Sequence, residues 1–174
     1  MHFYVDESKS KAYILAAVIV DPGSAASLRK KMKAFLKPGQ GHIHFVNESD
    51  TRRKQILKSL EELGVRARIY KISGLNPILA RGLCLSALMD DLEPLQATKL
   101  VFELEESALR SDENLLRQGL LNRGIKKHVE YSHAEKSEEP IVWAADGIAW
   151  SFARGDDFKR RAMRVIEKVT EITP

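Results

Sequence analysis

The residues best equipped for chemistry in this chain are carboxylates at three separated places. Asp6 and Glu7 end a short apolar run over residues 2–6, and Glu103 and Glu105 lie in another run over 99–105. Asp146 sits inside Ile141-Val142-Trp143-Ala144-Ala145-Asp146-Gly147-Ile148-Ala149-Trp150, where a charge is conspicuous. Buried without a partner it would be costly, so it calls for a cation, a metal ion or several hydrogen bonds. Small neighbours on both sides let such a partner approach closely. Oxygen ligands of this kind suit Mg²⁺ or Mn²⁺. Two such ions about 4 Å apart would activate a water and stabilise the leaving oxygen of a phosphodiester. Taken singly, each acid has a plainer role: turn former for Asp6 or Glu7, salt-bridge partner for Glu103, paired core charge for Asp146. The weight of the metal reading lies in their joint placement.

The elements that must position these acids follow from the apolar pattern. Strands are expected at 2–6 and 12–20, joined by the polar turn Ser8-Lys9-Ser10-Lys11. Pro22-Gly23-Ser24 starts a basic helix to about residue 36, stopped by Lys37-Pro38-Gly39-Gln40-Gly41. An extended piece at 42–46 precedes a helix over 50–63, with capping oxygens on Asn47, Ser49 and Asp50 and Gly64 at its end. Residues 65–72 alternate as a half-exposed strand should. Asn76-Pro77 opens a helix to about 92, and 99–105 is the next strand. A helix over 111–122, a short strand at 128–132, an apolar helix over 143–153 and a basic amphipathic helix over 158–171 complete the order. The pattern predicts a single α/β domain over residues 1–174, a mixed sheet with helices on both faces.

Strand periodicity then sorts the acids by face. If Val5 points to one side, Tyr4 and Asp6 point to the other and Glu7 points away from Asp6. Glu103 and Glu105 should share a face, about 7 Å apart at roughly 3.3 Å of rise per residue. Either could complete the set with Asp6 and Asp146.

With 174 residues, 44% of them hydrophobic and 30% charged, the composition is that of an ordinary globular protein with one substantial core. The longest apolar run, residues 12–20, is too short to span a bilayer. Asp6 and Glu7 interrupt any signal-peptide pattern. The lone cysteine, Cys84, reads as a buried core thiol and fits a reducing cytoplasm. No membrane partner is expected. A net charge of +4 suits a polyanionic partner.

Phe3-Tyr4-Val5-Asp6-Glu7-Ser8, followed by an apolar strand, resembles the opening of an uncharacterised family in the ribonuclease H-like superfamily, which typically begins Tyr-Ile-Asp-Glu-Ser-Gly. The late stretch from Val142 to Trp150 resembles that family's Leu-Gln-Leu-Ala-Asp-Leu-Ile-Ala-Gly around Ala145 and Asp146, and His44-Phe45 resembles its middle His-Phe motif. The resemblance implies a ribonuclease H-like fold and a Mg²⁺- or Mn²⁺-dependent nuclease. Asp6, Glu103 or Glu105, and Asp146 would be its metal ligands, with Glu7, His44 and Glu48 nearby in secondary positions. RNA is favoured over DNA by analogy of fold. Two positions depart from the pattern: Lys9 replaces the glycine, and the middle strand carries glutamates where the family more often has aspartate. These departures support an alternative reading, an inactive ribonuclease H-like module that binds nucleic acid or protein. A homodimer stays open as the assembly.

Other groups weigh less. His42 and His44 share a face, but no cysteine pair or HExxH spacing completes a zinc site. His128, Glu130 and His133 read as surface residues, and Asp112 as a helix N-cap. Basic clusters at 29–33, 52–54, 66–68, 126–127 and 159–164 would form a phosphate track only if several converged on the carboxylates. No GxxxxGK loop supports a nucleotide-phosphotransfer enzyme.

Overall fold

The computed structural model describes residues 1–173. A six-stranded mixed sheet runs in the order β5-β4-β1-β2-β3-β6. Its strands are β1 (His2–Lys9), β2 (Tyr13–Val20), β3 (Arg66–Ile72), β4 (Lys99–Glu103), β5 (Glu130–Ala134) and β6 (Ile166–Ile172). β2 is antiparallel to both β1 and β3, whereas β1–β4, β4–β5 and β3–β6 are parallel. The helices are α1 (Ala25–Lys33), α2 (Asp50–Glu62), α3 (Pro77–Asp90), α4 (Leu109–Asn122), α5 (Pro140–Arg154) and α6 (Asp156–Ala162). Among the described residues, no helix is long and apolar enough to cross a membrane.

Each face of the sheet has its own core. Tyr4, Ile14, Ala16, Val18, Ala67, Ile69 and Val101 pack against α1, α2 and α5. Phe3, Val5, Leu15, Ala17, Tyr70, Leu100 and Phe102 pack against α3 and α4. Every residue of β2 is buried, which is why it reads as an unbroken apolar run rather than an alternating one. α5 is buried on nearly all sides, and its contacts with β1, β2, α1 and α6 make it the central helix.

Local chemistry fixes the ends of the helices. Ser49 Oγ caps α2 by accepting from Arg52 N–H, and Asn76 Oδ1 caps α3 ahead of Pro77 at the first turn. Glu139 caps α5, accepting from Ile141 N–H, and is itself gripped by Arg29 from α1. Gly155, at φ 85°, ends α5 in a conformation that a side chain would strain.

One expected element is wrong. The expected helix over 158–171 divides into α6 and the edge strand β6. Val165, Ile166, Val169, Thr170 and Ile172 are β-branched and favour an extended chain. An edge strand exposes part of both faces, so charges at 167, 168 and 171 break the two-residue alternation. A register shift opposite Ala67 and Arg68 blurs it further.

Candidate functional site

Glu103 ends β4, and Asp6 lies beside it within β1, each one residue beyond Val5–Phe102, the last pair of the parallel ladder. Ligands of open α/β sheets bind at the carboxyl ends of strands. Asp6 continues the face of Tyr4, and Glu103 that of Val101, so both look toward α5. There Asp146 turns its carboxylate to the sheet. The segment that follows β5 supplies Lys136, and the four side chains meet. Lys136 Nζ lies 2.9 Å from Glu103 Oε2, 3.5 Å from Asp146 Oδ2 and 3.9 Å from Asp6 Oδ2.

The surrounding backbone holds this cluster in place. Trp143 donates its indole N–H to Lys136 O at 2.6 Å, tying the β5–α5 segment to the helix that carries Asp146. Phe45 donates its backbone N–H to Asp146 Oδ2 at 2.9 Å. Phe45 can come this close because the neighbouring helix residue is Gly147: a Cβ there would meet the Phe45 ring at 2.9 Å. His44 Nδ1 lies 3.2 Å from Asp146 Oδ2 and 3.0 Å from Lys136 Nζ.

Charge is poorly balanced in the cluster, with three carboxylates facing one ammonium. The Asp6 carboxyl is held well above the usual carboxylate range, by burial first and then by repulsion from Asp146 and Glu103; Lys136 offsets this only in part. Asp146 moves the other way. Burial would raise it, but the bonds from His44 and Phe45 N–H and the charge of Lys136 outweigh that and lower it. Two neighbouring carboxyl groups are thus driven apart, one toward the protonated and one toward the ionised form. Glu103 Oε2 is buried, and Lys136 Nζ, 2.9 Å away, is the cation it faces. Among the described residues, no three His, Cys, Asp or Glu side chains are grouped to hold a metal ion as they stand. The cation at the centre of this arrangement is Lys136.

Asp6, Glu103, Asp146 and His44 are therefore brought together, and Glu7 and Glu105 are not. β4 ends at Glu103, so Glu105 lies beyond the strand and loses the shared face expected for it. Lys9 Nζ bonds both Glu105 oxygens at 2.9 Å and lies 3.1 Å from Glu7. On that opposite face Arg81 reaches Glu7 at 2.7 Å, Tyr13 Oη at 3.0 Å and Asp112 at 2.6 Å. Asp112 is thus a buried ion-pair partner inside the first turn of α4 rather than its N-cap. The His133 side chain is also buried, against Asp112 at 3.4 Å and stacked on Phe102, and is not the surface residue expected. His128 and Glu130 are exposed, and Cys84 is a buried free thiol. Glu48 is held by Arg52, Lys37 and Gln40, away from the cluster.

Most basic clusters are ordinary ion-paired surfaces. Arg66 and Arg68 bind Glu167, Arg160 and Arg161 bind Asp157, and Arg164 binds Glu61. Arg53 differs. It donates to Phe45 O and Val46 O and lies over the Trp150 ring at 4.2 Å, next to the residues that fix Asp146. The sequence reading missed Lys136, the Phe45 amide and the role of Gly147. A charged loop residue has no periodicity to reveal it. The His44-Phe45 and Asp146-Gly147 dipeptides were visible, but not the contact between them. No protein-family model, curated protein or solved structure matches this chain significantly.

Proposed function

We propose that this protein is a metal-dependent nuclease of the ribonuclease H-like type, with RNA favoured over DNA as its substrate. The observation that carries the reading is the meeting of Asp6, Glu103 and Asp146 around a single cation. These acids come from the first strand, a middle strand and a late helix, which is the distribution the resemblance implies. The donor set fits a hard divalent ion: all carboxylate oxygens, with burial and then an excess of negative charge pushing Asp6 toward protonation.

Asp6, Glu103 and Asp146 would hold Mg²⁺ or Mn²⁺. When bound, the metal supplies Lewis-acid stabilisation of phosphodiester oxygens and a nucleophilic water at neutral pH. The protein's own groups perform the rest. Phe45 N–H and His44 keep Asp146 ionised and aimed, as donors to a carboxylate do. His44, about half-exposed and at the mouth of the cluster, can pass a proton to or from an oxygen of the substrate. Lys136 offsets part of the acids' charge, and its ammonium would be available to a phosphate oxygen if a divalent ion were held by Asp6, Glu103 and Asp146 in its place.

The test is cleavage of labelled single- and double-stranded RNA and DNA with Mn²⁺ or with EDTA. Metal-dependent cutting should disappear in Asp6→Asn and Asp146→Asn. Cutting that survives both substitutions would remove these residues from the mechanism. Lys136 also supports a second reading, in which the internal ion pair permanently takes the place of a metal and the domain only binds. Salt-sensitive binding with no cutting in any metal would favour that reading.

A further inference from the structure

Next to the carboxylates lies a cavity of about 230 Å³ lined by Ser8, Ser10, Lys11, Trp150, Ala153 and Arg154. Its position follows from the two elements that carry the site. Ser8 is two residues beyond Asp6 on the same face of β1, and Trp150 is one helical turn beyond Asp146 on α5. Phe45 joins the two places, with its amide on Asp146 and its ring edge-on to Trp150 at 5.5 Å. From the carboxylates to the cavity is one turn of helix, a step that one nucleotide of an extended strand covers.

The lining is chemically specific. Trp150 is half-buried and braced: the Arg53 guanidinium covers one ring face at 4.2 Å, and Phe158 meets it edge-on at 5.2 Å. Such bracing gives a rigid apolar plate in a wet, cationic setting. Lys11 and Arg154 are exposed at the rim, and neither has an ion-pair partner among the described residues. That contrasts with Arg66, Arg68, Arg160, Arg161 and Arg164, which are all paired. Hydroxyls of Ser8 and Ser10 complete the wall.

We propose that this cavity holds one unpaired nucleotide, its base against Trp150 and its phosphate between Lys11 and Arg154, so that the substrate strand is single-stranded. The proposal takes its direction along the strand from the nuclease reading, but its chemistry stands apart from it. Aromatic plates recognise nucleic acid by stacking on a base face, which a paired and stacked duplex does not offer. Two unpaired cations supply the phosphate contacts that run alongside such stacks.

The test uses the full chain in EDTA, where nothing is cut, with eight-residue oligomers of uridine and of deoxythymidine and a blunt duplex. The chain has two tryptophans, and Trp143 is 1% exposed, so quenching of accessible emission reports Trp150. Both single-stranded oligomers should bind and quench it, and the duplex should not quench it. Trp150→Phe should abolish quenching while keeping affinity within about threefold, because a phenyl ring still stacks. Lys11→Gln with Arg154→Gln should weaken binding about tenfold and flatten the salt dependence by roughly 0.7 per contact removed. Quenching by the duplex equal to that by the oligomers, oligomer binding without quenching, or wild-type affinity in the double variant would each overturn the proposal. Cleavage separates it from the nuclease reading. If the wild type cuts in Mn²⁺ but its KM is unmoved in the double variant, the subsite fails and the nuclease stands. If the oligomers quench Trp150 but nothing is cut in any metal, the subsite stands and the nuclease fails.

Discussion

Replacing Lys136 by methionine tests whether this ammonium is a structural substitute for a metal ion. The side chain is 13% exposed and contacts Glu103, Asp146, Asp6 and His44. Burial alone would lower its pKa from 10.5, but Asp146, Asp6 and Glu103 outweigh burial and raise it. The sign is that of a cation stabilised in the fold: its contribution is fully present below pH 10.5 and fades only as pH rises through the elevated folded value. At neutral pH, Lys136→Met therefore removes a charge, not a neutral amine.

Removing one partner of a buried ion pair costs about 3–5 kcal/mol because the other charge is left uncompensated. Asp6 is already biased toward protonation and can relieve part of this, so the lower end applies. For a chain of this length, about 3 kcal/mol corresponds to a fall in Tm of roughly 6–12 °C in EDTA. A divalent ion should reverse the loss. Metal at a hundredfold excess over its Kd contributes about 2.7 kcal/mol. On the proposed function, metal binding would cost the wild type its Lys136 contacts, whereas the variant has none to lose. Thermal melts of both proteins in EDTA and in graded Mn²⁺ read the difference: the variant should start lower, rise further and respond at lower metal concentration. Equal melting in EDTA, or identical metal shifts, would refute the idea that ammonium and metal compete for one place.

Asp6→Asn should raise the metal-free stability by about 1 kcal/mol at pH 7 while abolishing any metal response, as neutralising a strained functional charge does. The raised pKa of Asp6 sets the sign: its ionised form destabilises the fold, so the wild type should lose ground to the variant as pH climbs above 3.8. Gly147→Ala brings a Cβ to 2.9 Å from the Phe45 ring, costing about 1–3 kcal/mol and moving the amide off Asp146; melts should fall and cutting with them. Arg81→Leu strands Asp112 and Glu7, costing about 3–5 kcal/mol, yet should leave the metal-induced Tm shift intact. Burial raises the Asp112 carboxyl, but Arg81 and His133 lower it further, so its contribution is held above pH 3.8 and lost as pH falls through the depressed value. Acid titration of Arg81→Leu should show a shallower loss than that of the wild type.

Where each side chain repeats the period of its element, the sequence was a good guide. The two-residue alternation of β1 put Asp6 opposite Glu7, and that is how they lie. The charge within an apolar helix marked Asp146 as a residue in need of partners, and it has three. Legibility failed where position depends on an element's end. One residue decides whether Glu105 continues β4 or leaves it, and propensity does not resolve an end that closely. It failed also where the partner comes from a loop, as Lys136 does, and at the edge strand β6, whose charges face solvent on both sides. Asp112 misled because a small acid near the start of a helix usually caps it, and here a buried arginine from α3 takes it instead.

β1 carries two charged networks on its opposite faces, and the contrast between them argues for function on one side only. Around Arg81, the acids Asp112, Glu7 and Glu105 meet Arg81 and Lys9 at hydrogen-bonding distance. Salt links hold Asp112 and Glu105 below their usual values, and only Glu7 is raised, chiefly by burial. A network so nearly balanced stabilises its own fold and has little use for another ion. Around Asp6 the acids outnumber the cations by three to one, one ammonium is shared among all of them, and two carboxyl groups are forced apart in acidity. Folding alone gives no reason to gather three carboxylates from two adjacent strands and a helix, since apolar residues of similar size would do as well or better. Charge left unbalanced among buried acids is what the proposed metal-dependent function requires, and Lys136 is the cation that now lies among them.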